Sequence, residues 1–573
     1  MDKKKKTIIL IGGILLLLGA FAFFFRHKDR KPAVFTASSV RLKEKLDTER
    51  EEALTKGNVK LSRKALASYG RITECVFNGE GTGLTLNLAL PDIPGSDDAY
   101  IYLFDFDIYE ECEFPEGFGR TPVAVAEKAT SCTFQWDYQE EQLFRQFVPA
   151  LLVKGRYVPL SQGCFINNPE AIAYNPEDYP QGKSKKGLLL DPEMLRTPLL
   201  EDLGVKHAIY NIPLSNIIGE TTNEALPTIV YHYRGREYLF NGAAIEGYDN
   251  LFSYLTEKEM LTTAIILNDW DEDYPELVHP LARNKDSGAY YYAFNTCEAE
   301  GCLHLEAIAS FLTERYSGKE KGLVSSWVIA NEINQHKVWN YMDTKDIGLY
   351  AGEYEKALRI FYNAAKRSYA GAKVYLSIDH DWNDNKGRDD RFFNARDILE
   401  AVNDAARQKG NYDWGVAIHP YPSPLTRVNY WNQNYDKSID APVLTPMNLS
   451  TVTDFLKQVE YLDRGGDVRS ISVTELGFTS LSGEKLQAAA FAYCYYIIED
   501  NPYIEAFIMN RQTDAMEEIK QGLAFGIYNL DRTPKFIYEV FRDIDTNKGR
   551  DNVAFMLNII GADSLEEALA RAR

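Results

Sequence analysis

From about residue 200 onward, the sequence repeats one rhythm: a short apolar run, then a loop, then a helical stretch. Most of the runs are continuously apolar, which is typical of strands buried on both faces of a parallel sheet. The helical stretches are amphipathic, as in 352–369. We interpret eight runs as strands, at 207–212, 261–267, 290–294, 325–330, 373–378, 414–418, 470–474 and 505–510. Eight buried strands with intervening helices predict an α/β fold of the (β/α)8 TIM-barrel type.

Residues 61–200 have a different character. Short alternating runs, such as 84–90 and 100–109, are separated by turns rich in Gly, Pro and Asn. This pattern predicts an antiparallel, β-sandwich-like domain. The domain is either a carbohydrate-binding module or a unit that only packs on its neighbour. The barrel is predicted at 201–545, and a C-terminal helical tail at 546–573.

The N-terminal 31 residues stand out by charge and hydropathy. Residues 1–31 carry eight Lys/Arg and two Asp/Glu, and within them Thr7 to Phe25 is a nineteen-residue stretch without charge. As a helix it would reach about 28 Å, close to the thickness of a bilayer core. We therefore expect a transmembrane signal anchor, followed by a charged linker or stalk helix at 32–60. The protein would be single-pass in the cell membrane with its bulk extracellular. A cleaved signal peptide, which would make it secreted, is the alternative.

Charge and cysteine usage exclude several classes of function. The whole chain carries a net charge of −20, and the portion after residue 31 is more acidic still, so a nucleic-acid partner is disfavoured. Seven cysteines without a CxxC pair do not support a zinc site. Four of the seven lie within residues 75–164 and are either disulfide-bonded or buried free thiols. GxSxG and HExxH motifs are absent from the sequence, and no obligate protein partner is evident.

Active sites of such barrels lie at the carboxyl ends of the strands. Two glutamates follow apolar runs there: Glu332 ends the fourth predicted strand and Glu475 ends the seventh. Strands three apart in a ring of eight face each other across the barrel mouth. Glycoside hydrolysis needs two carboxyls in that arrangement, one neutral and one ionised. The pair therefore indicates a glycosidase-type site.

Three motifs in this order resemble clan A retaining glycoside hydrolases: Asn-Glu closing strand four, His-x-Tyr after strand six and Glu closing strand seven. The segment 522–538 also resembles the end of many of those enzymes. The resemblance covers about residues 200–545 and suggests a bacterial family related to that clan. It implies a TIM-barrel hydrolase of carbohydrate metabolism that needs no cofactor and no metal.

The same resemblance implies roles for individual residues. Glu332 would be the acid/base and Glu475 the nucleophile. Asn331 would hydrogen-bond a sugar hydroxyl, while His419 or Tyr421 would orient Glu475 or the sugar.

Further candidates for substrate binding come from polar and aromatic residues near the strand ends. Four tryptophans fall in loops after strands and suit the apolar faces of sugar rings. Members of the clan often have an Arg after strand two and a Trp ending strand eight, whereas this chain has Asn at both places, the second followed by Arg. The candidates are Asn268, Asn295, Trp270, Trp339, Trp382, Trp431 and Arg511.

Three functional hypotheses remain open at this stage. The leading one is a membrane-anchored retaining glycoside hydrolase that acts on an oligo- or polysaccharide. The second is a non-catalytic glycan-binding or adhesion protein on a degenerate barrel, motivated by the missing Arg and Trp. The third is a purely structural envelope protein, whose barrel mouth would be filled by side chains.

Overall fold

The computed structural model describes residues 37–112, 114 and 116–573. The predicted anchor at 7–25 lies outside these residues. Within the described part of the chain, no helix has both the length and the apolar character needed to cross a membrane. The first helix, α1 (Ala37–Lys56), falls in the predicted charged segment and is largely exposed.

Seven strands form two antiparallel sheets ahead of the barrel. They are β1 (Arg71–Phe77), β2 (Gly83–Ala89), β3 (Tyr100–Phe106), β4 (Ala124–Glu127), β5 (Ser131–Asp137), β6 (Gln146–Val153) and β7 (Arg156–Pro159). One sheet has the order β1-β2-β5 and the other β4-β3-β6-β7. Leu86 and Phe134 of the first sheet share one buried core with Leu103 of the second. The prediction of antiparallel β structure in this segment is confirmed.

The remaining strands build a closed barrel and two small additions. They are β8 (Lys186–Leu189), β9 (His207–Pro213), β10 (Ile229–Tyr233), β11 (Arg236–Phe240), β12 (Leu261–Leu267), β13 (Ser317–Gly318), β14 (Gly322–Ile329), β15 (Lys373–Ile378), β16 (Trp414–Ile418), β17 (Ile471–Leu476) and β18 (Ile504–Met509). Eight of them pair in parallel in the order β8-β9-β12-β14-β15-β16-β17-β18, and β18 pairs with β8 to close the ring. The predicted barrel is confirmed. β10 and β11 form an inserted antiparallel hairpin.

Two of the predicted strand assignments need correction. Residues 290–294, predicted as the third strand, form an irregular loop with isolated bridges at Tyr292 and Phe294. The true first strand is β8, which lies within the segment predicted to be antiparallel. It has only four residues, too few to show a period. The two errors cancel, so β14 and β17 are still the fourth and seventh strands.

The other helices are one short helix ahead of the antiparallel sheets, those around the barrel and those at the C-terminal end of the chain. They are α2 (Arg63–Leu66), α3 (Pro198–Glu201), α4 (Leu214–Ile217), α5 (Gly242–Glu257), α6 (Ala299–Arg315), α7 (Ile347–Ser368), α8 (Ala395–Gln408), α9 (Ser450–Leu456), α10 (Glu484–Asp500), α11 (Met516–Lys520), α12 (Ile537–Asp543), α13 (Gly549–Ile560) and α14 (Leu565–Ala570). Alternate strand residues fill the barrel interior, as expected for a packed core. They include Ile209, Ile265, Val328, Tyr375, Ala417 and Ile508. All seven cysteines are free thiols.

A buried arginine links the antiparallel domain to the barrel. Arg359 on α7 is about 1% exposed, and its Nε donates to Glu355 Oε1 at 2.8 Å. Its guanidinium lies 4.7 Å from the ring centre of Phe165, which comes from the segment after β7, and 4.3 Å from that of Tyr412. Removing one partner of such a buried pair leaves the other charge uncompensated.

Arg359→Met should therefore lower the free energy of unfolding by about 3–5 kcal/mol, because Glu355 loses its counter-charge while most of the side-chain volume stays. Urea unfolding followed by tryptophan fluorescence measures the change. Lys45→Ala is the matched control: it breaks an exposed pair of the same i,i+4 spacing and should cost less than about 1 kcal/mol. Equal losses in the two variants would contradict a structural role for the buried pair.

Candidate active site

Glu332 is presented by a sharp bend after the fourth strand. Ala330 and Glu332 both have positive φ angles, 64° and 39°, a conformation that non-glycine residues adopt only where their surroundings impose it. The amide of Glu332 donates to Ser377 Oγ at 3.1 Å, which ties the bend to the end of β15. The side chain is about 13% exposed. The carboxyl group is therefore held at the barrel mouth in a largely desolvated position.

Glu475 lies in β17 and is more accessible, at about 32% exposure. Its Oε1 accepts the hydroxyl of Tyr421 at 2.7 Å and the amide of Asn510 at 3.3 Å. The same Asn510 amide lies 2.9 Å from the Tyr421 hydroxyl. Two donors on one oxygen suit an ionised carboxylate and fix its orientation.

His419 lies between the two carboxyl groups. Its Nδ1 is 2.8 Å from Glu332 Oε1 and 4.0 Å from Glu475 Oε2. Its Nε2 is 3.1 Å from Thr474 Oγ1. Both distances start at the same nitrogen. The separation between Glu332 Oε1 and Glu475 Oε2 therefore cannot exceed the sum of the two. The structure therefore brings the predicted Glu332, Glu475, His419 and Tyr421 together.

Burial and neighbouring charges shift the pKa values of these groups. It raises the pKa of Glu332 to about 7, with the nearby charges of Asp379 and Glu475 adding to the rise and His419 opposing it. Burial alone would lower the pKa of His419, but Glu475 and Glu332 outweigh it and raise that pKa. Burial and Glu475 also raise the pKa of Tyr421, which stays protonated as a donor. One carboxyl group can thus hold a proton near neutral pH beside a hydrogen-bonded carboxylate, as acid–nucleophile chemistry requires.

A clamp that the sequence did not reveal holds the loop after Glu332. Asp379, which follows β15, accepts the Asn334 amide and the Gln335 amide, each at 2.6 Å. Its own backbone amide donates to Asn334 Oδ1 at 3.0 Å. Asn334 and Gln335 follow Glu332 within the same NEINQ segment. The sequence shows that Asn334 and Gln335 lie close to Glu332 along the chain. Only the fold shows that Asp379 faces them.

An aromatic stack stands beside the mouth on the side of the third and fourth strands. The ring of Trp339 lies parallel to that of Tyr290 at 4.7 Å, and that of Tyr291 follows at 6.1 Å. Tyr290 is about 63% exposed. The two tyrosines were missed because they lie in the segment wrongly predicted as a strand. Of the four predicted tryptophans, Trp339 is thus the one that lies in an accessible aromatic stack.

Two predicted substrate-binding asparagines are instead buried structural residues. Asn268 donates to the carbonyls of Leu277 and Ala293, at 3.0 and 3.3 Å. Asn295 donates to the carbonyl of Glu276 at 2.8 Å. Both are about 1% exposed, so they hold the long loop between β12 and α6 rather than face a ligand. A buried amide needs such partners, which explains why asparagine occurs at these two positions.

The other tryptophans differ in accessibility from the prediction. Trp382 is fully buried and donates from Nε1 to the carbonyl of Ile439 at 2.8 Å, which rules out stacking on a sugar. Trp431 is also buried. Trp270 is half-buried, edge-on to Tyr292 with ring centres 5.5 Å apart. These side chains anchor loops over the barrel, because large aromatic surfaces are stabilised by burial.

Asn331 and Arg511 remain at accessible positions. Asn331 is half-buried, and its side chain makes no hydrogen bond to any other described residue. Arg511 pairs with Glu518 at 2.8 Å and lines a cavity next to the mouth.

One cluster elsewhere has the composition of a metal site. His279, Cys297 and Glu353 have ligand atoms within 4.8 Å of one another. However, His279 Nδ1 accepts the amide of Leu281, so the neutral ring carries its proton on Nε2, 3.4 Å from the Cys297 sulfur. Lys356 occupies Glu353 Oε1 at 2.8 Å. The ligand atoms of all three residues thus already have protein partners, and we assign no metal to them.

Comparison with known proteins gives a family and several similar structures. The model of a family described as "Family of unknown function (DUF5722)" matches residues 178–568. No curated protein matches the chain.

Similar solved structures include a family 39 glycoside hydrolase from Bacteroides cellulosilyticus WH2, at 14% identity over 86% of this chain and 83% of that one, with a TM-score of 0.41. A family 1 β-glucosidase from Thermotoga maritima has 14% identity over 60% and 84%, with a TM-score of 0.36. An exo-β-1,4-mannosidase from Opitutaceae bacterium strain TAV5 has 12% identity over 63% and 55%, with a TM-score of 0.36. All three are glycoside hydrolases, the group that the sequence motifs resemble. Similarity at this level carries no argument about activity, which has to be inferred from the site itself.

The raised pKa of Glu332 can be tested through stability. An unfolded glutamate has a pKa near 4.3, whereas burial raises that of Glu332 to about 7. The folded state therefore binds the extra proton between about pH 4.5 and 7, and it loses stability as the pH rises through that window. Glu332→Gln removes this loss. Between pH 5 and pH 8, the free energy of unfolding should fall less in the variant than in the wild type, by about 1–3 kcal/mol.

Urea unfolding at the two pH values measures this difference. Glu460→Gln, at an exposed position on the barrel surface, is the control and should follow the wild type. Identical pH profiles for wild type and Glu332→Gln would contradict a high pKa at this position.

Proposed function

The chain belongs to the family of unknown function DUF5722, and we propose that it is a retaining glycoside hydrolase cleaving an O-glycosidic bond. One observation carries the proposal. His419 Nδ1 lies 2.8 Å from one carboxyl group and 4.0 Å from the other, at the mouth of a closed barrel. The first carboxyl, that of Glu332, is suited to hold a proton near neutral pH. The second, that of Glu475, is held as a hydrogen-bond acceptor.

In the proposed mechanism, Glu332 donates its proton to the glycosidic oxygen while Glu475 Oε2 attacks the anomeric carbon. The bond to the leaving group breaks, and a covalent glycosyl-enzyme forms. Glu332, now a carboxylate, then takes a proton from water as the water oxygen attacks the same carbon and displaces Glu475. The second step regenerates both starting forms.

The neighbouring side chains support these roles. Tyr421 and Asn510 bind Oε1 of Glu475 and thereby orient the carboxylate, with Oε2 on the side of His419. The hydrogen bond from His419 stabilises Glu332 once it has lost its proton, because a charge-assisted contact is stronger than a neutral one. Both carboxyl groups are thus tuned by residues that do not themselves react.

The spacing of the carboxyl groups favours retention over inversion. Inverting enzymes separate the two groups by about 6.5–9.5 Å to admit a water molecule, whereas retaining enzymes separate them by about 5–5.5 Å. The sum of the two distances from His419 Nδ1 is the largest possible separation of Glu332 Oε1 and Glu475 Oε2. This upper limit reaches only the lower end of the inverting range.

We propose an oligo- or polysaccharide as the substrate. The stack of Trp339 and Tyr290 offers flat apolar surface to sugar C–H faces. The free amide of Asn331 offers hydrogen bonds to sugar hydroxyls beside Glu332. The proposed chemistry uses only side chains and water.

Glu332→Gln and Glu475→Gln test the assignment. After a panel of 4-nitrophenyl glycosides and natural oligosaccharides has identified a substrate, Glu332→Gln should lower kcat/KM on the oligosaccharide by about 10²–10⁴-fold. Its loss on the nitrophenyl glycoside should be smaller, because that leaving group departs without a proton. Glu475→Gln should lower kcat/KM on both substrates at least as strongly, because it removes the attacking group.

The exposed substitution Glu460→Gln is the control and should leave turnover unchanged. Full turnover in either active-site variant would refute the assignment. A wild-type protein that binds glycans without cleaving them, with binding preserved in both variants, would instead support a non-catalytic glycan-binding protein.

Retention has a direct spectroscopic test. Proton NMR of the reaction mixture should show the product sugar first in the anomeric configuration of the substrate, because two successive displacements at one carbon restore its configuration. The opposite anomer appearing first would rule out a covalent intermediate on Glu475 while leaving a two-carboxyl hydrolase in place.

A further inference from the structure

A cavity of about 480 Å³ lies at the carboxyl ends of β8, β9 and β18. Its volume is within the range of pockets that bind small ligands, about 300–1,000 Å³. Polar and aromatic side chains line it together. They include Asp191, Tyr210, Asn211, Tyr248, Arg511 and Thr513.

The cavity is next to Glu475 and across the mouth from Glu332. Arg511, which lines it, directly follows Asn510, and the Asn510 amide is 3.3 Å from Glu475 Oε1. β18 is the eighth strand and β14 the fourth, so the two are opposite each other in the ring. The cavity, at the first, second and eighth strands, and the aromatic stack of Trp339, at the third and fourth, thus occupy different parts of the mouth.

The two sides have different roles if the proposed function holds. Glu332 protonates the departing oxygen, so the leaving group must extend toward the fourth strand. The sugar that becomes bonded to Glu475 stays behind, and any unit attached to it extends the other way. That direction leads into the cavity.

The lining suits a neutral sugar ring. The side-chain amide of Asn211 makes no hydrogen bond to another described residue, while its backbone carbonyl accepts the Tyr248 hydroxyl at 3.1 Å. The amide therefore has both a donor and an acceptor to offer to hydroxyl groups. The rings of Tyr210 and Tyr248 supply apolar surface, with centres 6.1 Å apart. Glu518 compensates the charge of Arg511 at 2.8 Å, which removes the attraction for an anionic substituent.

We propose that this cavity binds a neutral pyranose unit one position beyond the sugar that is bonded to Glu475. Preferred substrates would then carry at least two sugar units on the retained side of the scissile bond. The inference rests on the proposed function and adds a length requirement to it, because binding energy from the remote unit would be used in the transition state.

Matched pairs of 4-nitrophenyl monosides and biosides, such as glucoside with cellobioside and mannoside with mannobioside, test the inference. For the pair that the wild type hydrolyses, kcat/KM should be about tenfold or more higher on the bioside. Asn211→Ala should lower this bioside-to-monoside ratio about tenfold, the effect of one lost hydrogen bond to a sugar. Asn216→Trp, at the exposed rim of the cavity, should abolish the preference by obstruction.

Asn558→Ala, exposed on α13, is the matched control and should leave the ratio and both rates unchanged. A wild-type ratio near one, or a ratio that neither cavity variant alters, would overturn the subsite. The proposed function is judged separately with Glu475→Gln. Loss of turnover on both substrates in that variant upholds the function whatever the ratio shows. Persistent turnover in Glu475→Gln, or no turnover of any pair by the wild type, overturns the function and the subsite together.

Discussion

Pairing between β18 and β8 is the contact on which the site depends, because it closes the ring. β8 has only four residues, and its register places Gly187 opposite Ile508. A Cβ atom at Gly187 would lie 2.3 Å from Ile508 Cδ1 and 3.0 Å from the carbonyl oxygen of Phe507, so a larger residue there would force the Ile508 side chain and the neighbouring strand to shift. Lys186 adds a buried ion pair to Asp545 at 2.7 Å. Once the ring is closed, residues from its different strands meet at one mouth.

The two glutamate side chains are chemically identical, but their environments give them different roles. Glu332 is desolvated, which favours its neutral form, whereas Glu475 is more exposed and receives two hydrogen bonds on one oxygen. His419 touches the first and faces the second, so its own protonation depends on both. The imidazole thus couples the two carboxyl groups. The charge of Glu475 contributes to the raised pKa of both Glu332 and His419.

The sequence was sufficient for features that follow from local pattern. Buried parallel strands are uniformly apolar, so Glu332 and Glu475 were visible as exceptions at strand ends, and the order of motifs located His419 and Tyr421. Features set by packing could not be derived in this way. A loop tryptophan has the same sequence context whether it is buried, as Trp382 is, or accessible, as Trp339 is.

The misassigned segment at 290–294 shows the same limit. A run of aromatic residues favours a strand by propensity, but propensity is routinely overridden by tertiary context. The fold uses two of these tyrosines in the stack on Trp339. Asn510 was noted as a polar residue after the eighth strand, at a place where the related enzymes often have a tryptophan. Its contact with Glu475 depends on how β18 lies beside β17, and no linear pattern records that.

The position of the antiparallel domain limits what it can contribute. Phe165 donates its amide to the Lys409 carbonyl, and the Asn167 side chain donates to that of Asn411, both in the loop that precedes β16. Arg464, which precedes β17, pairs with Glu170. These contacts cover the amino ends of the strands, whereas the two glutamates are at the carboxyl ends. A sugar bound beside these contacts would therefore lie at the far end of the barrel from the reacting groups. The contacts of the antiparallel domain therefore act on the stability of the barrel. Substrate selection depends on the loops and the cavity around the mouth.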